Sequence, residues 1–271
     1  MIDREDYEEP RCVLCMEKDV KVIPIPVDRV IRKLDEYYEV NDVEGARRHL
    51  LYWLEEAKIG NDKKGEFTVR DELMGHYRKQ GDKENAMENA NAVADIIDEL
   101  EIGDTVPAGT AYLNIGTVYK AFGKAKESLT FFDKALKIYK DKLPENDLMF
   151  GGLYNNAALS YVDIGEYEKA KEYFSKAVDI TDGFSESKLD AAISYLNMAT
   201  ATDYEKGYKN AEKEIKELLE KAKERIDCKD VKRNGYYAFV CEKCASGFEI
   251  YGDKDYAEEL KKRAKDIYER S

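Results

Sequence analysis

Hydrophobic and small residues recur along this chain on two scales. Within short stretches they stand three, four or seven positions apart, as in Tyr154, Ala158 and Tyr161, then Ala170, Phe174 and Ala177. Residues so spaced share one face of a helix, so the pattern predicts two amphipathic helices, each with a small residue in its apolar stripe. Gly165 lies between them, four residues after Tyr161. Glycine readily adopts the left-handed conformation that ends a helix, which makes it the predicted turn. The arrangement stands one unit earlier as Tyr112, Gly116, Tyr119, Gly123, Ser128, Phe132 and Ala135. Gly81, Gly123 and Gly165 are 42 residues apart (123−81 and 165−123), and Tyr77, Tyr119 and Tyr161 each precede one of them by four. A fixed period of this length is the mark of a solenoid.

Weaker copies extend the array. Upstream, Val30, Leu34, Tyr37, Ala46, Leu50 and Trp53 keep the spacing with Asn41 in the glycine's place; Met74, Ala86 and Ala90 accompany Gly81. Downstream, Tyr195, Ala199, Ala211, Ile215 and Leu218 keep it, with Lys206 expected at the turn and Gly207 displaced by one. Cys241, Ala245, Phe248, Gly252, Ala257 and Ala264 form the last copy. The expected fold is all-α: about six antiparallel helix pairs in a right-handed superhelical solenoid over residues 27–271, forming one continuous rod. Residues 1–26 are expected to be an irregular N-terminal arm. Residues 256–271 read as a charged helix suited to the polar cap a solenoid needs.

The order aromatic, small, Tyr and Gly, then Ala, aromatic and Ala, resembles the tetratricopeptide repeat family. The family's commonest unit has about 34 residues; the longer unit here is similar to those of kinesin light chains and of Gram-positive peptide-sensing regulators. The resemblance implies a non-enzymatic scaffold that binds a protein, as an extended peptide or a partner's helix, in a concave groove. It leaves open, as an alternative, a peptide-sensing regulator whose curvature changes on binding. It also implies a peptide-binding role for asparagines on the first helix of each pair. Asn114 and Asn156 lie nine residues before Gly123 and Gly165, Asn197 lies nine before Lys206, and Asn155 adds a neighbour. An amide both donates and accepts, as a peptide main chain requires; the same amides could instead bond between helices and hold the stacking. Leu113, Thr117, Lys120, Leu159 and Leu196 complete the expected groove. A clamp for an acidic chaperone tail would need further Lys and Arg here. Only Lys120, with Arg78 and Lys79 one repeat earlier, could contribute, so such a tail is not expected.

Charge narrows the partners. The 44 Lys and Arg against 57 Asp and Glu leave a net charge of −13, the opposite of the basic stripe that nucleic acid or an anionic membrane attracts. The start of the chain has no basic segment followed by an apolar run, and the apolar residues from Val22 to Val27 are interrupted by Pro24 and Pro26. Of the five cysteines, an odd number, three fall where a reducing compartment would leave them as small hydrophobes, and the expected location is the cytoplasm. Cys12-Val-Leu-Cys15 and Cys241-Glu-Lys-Cys244 could supply four thiolates to zinc. On a rod they would lie far apart, and Cys241 and Cys244 fall on an inward helical stripe. A metal or redox role for Cys12 and Cys15 is the remaining chemical alternative. His49 and His76 stand in different repeats without a His-Glu-x-x-His, and Gly123-Lys124 lacks the glycine and the Ser or Thr of a phosphate loop. No catalysis, cofactor, metal or small-molecule substrate is expected.

Overall fold

The structure is a computed structural model that describes residues 21–269. Twelve α-helices follow one another: α1 (Val27–Glu39), α2 (Val43–Ile59), α3 (Lys63–Lys79), α4 (Lys83–Glu99), α5 (Val106–Ala121), α6 (Ala125–Lys142), α7 (Met149–Asp163), α8 (Tyr167–Thr181), α9 (Lys188–Lys206), α10 (Tyr208–Ile226), α11 (Gly235–Ile250) and α12 (Lys254–Tyr268). There is no strand among the described residues. The helices pack as six consecutive hairpins, and the odd-numbered ones also pack on one another, α3 on α5, α7 on α9 and α9 on α11. They form the inner layer of the solenoid.

The recurring Tyr-x-x-x-Gly has a backbone cause. Asn41, Gly81, Gly123, Gly165, Gly207 and Gly252 all have positive φ, between 56° and 96°. After them, the N–H of Asp42, Asp82, Lys124, Glu166 and Asp253 donates to the carbonyl of Tyr37, Tyr77, Tyr119, Tyr161 and Phe248, at 2.8–3.0 Å. This six-residue closure satisfies carbonyls that the helix end would leave open. The aromatic thus sits three residues inside the helix, and its ring turns onto the second helix. Tyr119 packs on Phe131 at 4.9 Å and Tyr161 on Tyr173 at 5.1 Å between ring centroids. Asp42, Asp82 and Asp253 then cap the following helix, accepting from the N–H of Gly45, Asn85 and Tyr256.

One expected turn is corrected. Gly207, not Lys206, takes the left-handed position, with φ 75°. It stands 42 residues after Gly165 (207−165), so the period never slipped. Lys206 remains the last residue of α9.

Small residues let the paired helices close. Ala46, Ala86, Ser128, Ala158, Ala170 and Ala177 are fully buried. At Gly116 even a methyl is too much, because a Cβ there would stand 2.6 Å from the ring of Phe132. Tyr154 and Tyr161 are only half-buried; each has a lysine over its face, Lys176 at 5.8 Å and Lys169 at 5.5 Å. The links between hairpins are tight at Asn61 and Glu101, both at positive φ, and longer around Pro144 and Gly183. Asp182 anchors the second long link. Its carboxylate takes two bonds from Arg225, at 2.6 and 3.0 Å, and one from Lys188 at 2.9 Å.

The array is not a straight rod. The C-terminal end of α1 meets the N-terminal end of α11, where a Cβ on Gly235 would lie 3.0 Å from the Cα of Glu39. Lys79, at the end of α3, sits between them, its ammonium 4.8 Å from the Tyr38 ring and 5.8 Å from the Phe239 ring. Curvature summed over six long repeats brings the last hairpin back onto the first. Before α1 the chain is irregular but held: Ile23 donates to the Gly60 carbonyl at 2.8 Å, and Ile25 to the Asp62 carboxylate at 2.9 Å. Cys12 and Cys15 lie outside the described residues. Cys241 and Cys244 are fully buried in α11, and burial raises both thiols to about 12, as packing residues rather than nucleophiles. No cluster of three or more metal-ligating side chains occurs among the described residues.

Candidate peptide-binding groove

The true register regroups the asparagines. Counting ten residues back from Gly81, Gly123, Gly165 and Gly207 gives Asp71, Leu113, Asn155 and Asn197; counting nine gives Glu72, Asn114, Asn156 and Met198. Asn197 therefore matches Asn155, not Asn156. Asn155 Oδ1 accepts from Asn197 Nδ2 at 3.0 Å and from the Ser194 hydroxyl at 3.2 Å, which ties α7 to α9. Asn114 Nδ2 donates to Asp71 Oδ2 at 2.9 Å, tying α5 to α3. Asn156 instead donates to the carbonyl of Gly152 in its own helix, at 2.8 Å. Each inter-helix amide uses half of its capacity: Asn155 Nδ2, Asn197 Oδ1 and Asn114 Oδ1 have no partner among the described residues. All are partly accessible.

The other expected groove residues divide. Leu113 and Leu159 are half-buried beside the amides. Leu196 is not available, because it packs under Gly247, where a Cβ would meet its side chain at 2.6 Å. The Thr117 hydroxyl donates to the Leu113 carbonyl of its own helix at 2.9 Å. Lys120 pairs with Asp163 of the next repeat at 3.6 Å.

Four inner-layer groups have no precedent in the sequence reading. Asp71 Oδ1 is enclosed and has no partner; burial, with the charge of Glu72, raises this carboxyl to about 7 despite the Asn114 bond. Tyr236 and Phe239 stack at 6.2 Å between centroids and remain partly exposed on α11, the tyrosine hydroxyl bonded to Asp190. Lys243 follows one turn later, with its pKa lowered by burial first and then by the charges of Arg78 and Lys120, against raising contributions from Cys244 and Asp190. Counting back from Gly81 and Gly252, turns that the spacing already placed, would have found Asp71 and Lys243, ten and nine residues before them. By contrast, the depression of about 820 Å³ along α10 is an ordinary solvated face. Its lysines and glutamates pair along the helix, as Lys216 does with Glu212 at 2.6 Å.

Stacked helical hairpins whose odd-numbered members pack on one another define a helical-repeat solenoid. Residues 109–147 and 152–182 each match a family model described as tetratricopeptide repeat. These two units are similar to tetratricopeptide repeats, and the rest of the array repeats their helical hairpin. No curated protein matches the chain. Among solved structures, the Rap protein complexed with competence and sporulation factor is 14% identical, with a TM-score of 0.60 over 92% of this chain and 66% of that one. BtubC (BKLC) from P. vanneervenii is 18% identical, with a TM-score of 0.50 over 90% of this chain and 91% of that one. The kinesin light chain TPR-like repeats of Podosopora anserina are also 18% identical, with a TM-score of 0.50 over 74% and 93%. At such identities the likeness is one of fold.

Proposed function

We propose that this chain is a non-catalytic scaffold that captures an extended peptide of a partner protein on its inner layer. The half-used amide ladder carries the reading. Asn114, Asn155 and Asn197 are oriented by bonds to the neighbouring helix, yet each keeps a donor or acceptor open, so a main chain can be bound without repacking the repeats. Leu113 and Leu159, half-buried on the same helices, provide apolar contact beside them. The Rap structure, whose complex partner is competence and sporulation factor, supports the reading as a case of this fold with a bound factor. Selection of peptides from a random display library, followed by calorimetric titration, tests it. Asn155→Ala should weaken binding by about 0.5–1.5 kcal/mol beyond any change in thermal stability. A library that yields no specific binder, or a substitution that lowers stability while affinity stays constant, would return the amides to stacking alone.

One observation favours the regulator reading as a second choice. The contact of α1 with α11 is a seam that a ligand in the groove would bear upon. A ligand-dependent change in radius of gyration by solution scattering would support it; identical scattering curves would not.

A further inference from the structure

The curl of the array brings together cations that the sequence keeps far apart. Arg78 and Lys120 occupy the same place in successive repeats (120−78 = 42), in the last turns of α3 and α5. Tyr236, Phe239 and Lys243 stand at i, i+3 and i+7 of α11 and so share one face. That face reaches the end of α3, since Phe239 lies under Lys79. Among the described residues, the side chains of Arg78, Lys79 and Lys243 enter no hydrogen bond or ion pair. Burial lowers the pKa of all three, and Arg78 lowers both lysines further. Three acids face them: Glu72, which acts on Lys79; Asp190, which is bonded to Tyr236; and Asp163, which pairs with Lys120. None forms a contact pair with Arg78 or Lys243.

Lys79 and Lys243 are exposed and Arg78 is half-buried, and like charges gathered on one inner face without counter-ions repel one another. In a chain of net charge −13 this group of cations stands out against its surroundings. The spacing left Arg78, Lys79 and Lys120 too few to hold an acidic tail, but the curl adds Lys243 to them. We propose that Arg78 and Lys243, with Lys120 beside them, seat the carboxylate side chains of an acidic segment of the captured peptide. The proposal rests on the peptide-capture reading and adds the chemistry of the ligand. A compact phosphate fits less well. Arg78 and Lys120 project from the C-terminal ends of their helices, where the backbone dipole is negative, whereas phosphate sites draw on helix N-termini. Single carboxylates spread along an extended chain match cations spread over three helices, with the amides alongside for the main chain.

The test uses the full chain and the peptides selected above. Binders should be enriched in Asp and Glu over the input library. For the strongest of them, replacing Glu and Asp by Gln and Asn should weaken binding to the unaltered protein about tenfold or more, and the loss should shrink as salt is raised. Arg78→Ala and Lys243→Ala should each weaken the acidic peptide by roughly tenfold, and the neutralised peptide hardly at all. Because neither cation is paired, melting temperature should hold or rise; Lys243→Gln serves if the alanine variant folds poorly. Lys243→Glu should pair with Arg78, stabilise the array and abolish acidic binding. Binders without acidic enrichment, or acidic binders indifferent to both substitutions, would overturn the seat and leave peptide capture standing. An empty selection would overturn both.

Discussion

At the scale of single residues, two glycines in ordinary helices are predicted to behave oppositely. Gly116 faces the Phe132 ring with no room for a Cβ, so Gly116→Val should cost about 1–3 kcal/mol by overpacking. Gly152 in α7 is exposed and has nothing within 4 Å of a would-be Cβ, so Gly152→Ala should stabilise by roughly 0.5–1 kcal/mol. Thermal denaturation of both variants checks the pair, and equal effects would contradict the packing described. Asp71 should shape the dependence on pH. Its folded carboxyl keeps a proton to about 7, against an ordinary value of 3.8. The folded state therefore holds the extra proton between these values, and stability falls as pH rises through that window. Asp71→Asn should remove the fall and stabilise the protein at pH 8 by about 1–3 kcal/mol; a denaturant series showing the same slope in both proteins would reject this. The Tyr-x-x-x-Gly motif was legible in sequence because it records a backbone closure that leaves few substitutes. Asp71 was not, since one acid among 57 reveals itself only through the atoms around it.

At the scale of elements, every hairpin was visible as a paired stripe, and the single misreading was a turn. Weak periodicity in α9 allowed Lys206 and Gly207 to exchange roles, and the one-residue error moved Asn197 into the wrong column. Long links are where the pattern gives least help, because no period constrains them. The link before α9 is held by Asp182, whose carboxyl is kept near 2 mainly by Arg225, then Lys188. A carboxyl lowered on folding contributes stability above its unfolded value of 3.8 and loses it as pH falls toward about 2. Asp182→Asn should thus cost about 1–2 kcal/mol at neutral pH, since the pair is partly exposed. The cost should disappear in acid. Urea denaturation at pH 7 and pH 2.5 measures both, and an equal cost at the two pH values would mean that the carboxylate's charge is immaterial.

At the scale of the whole molecule, local patterns fix each repeat but not how far six of them curl, because curvature accumulates from small rotations between neighbours. That is why the meeting of α1 with α11, and with it the company of Arg78 and Lys243, could not be read from spacing. Gly235→Val would place a side chain against the Glu39 backbone and should part the ends, raising the radius of gyration while helicity by circular dichroism stays constant. An unchanged radius would show that the contact does not hold the curl. If the inner layer captures a peptide as proposed, the contact of α1 with α11 also dictates how that guest arrives. On that proposal an extended chain would have to thread in by a free end or wait for the two ends to part. The same peptide fused between two folded domains should then load much more slowly than the free peptide, and Gly235→Val should erase the difference.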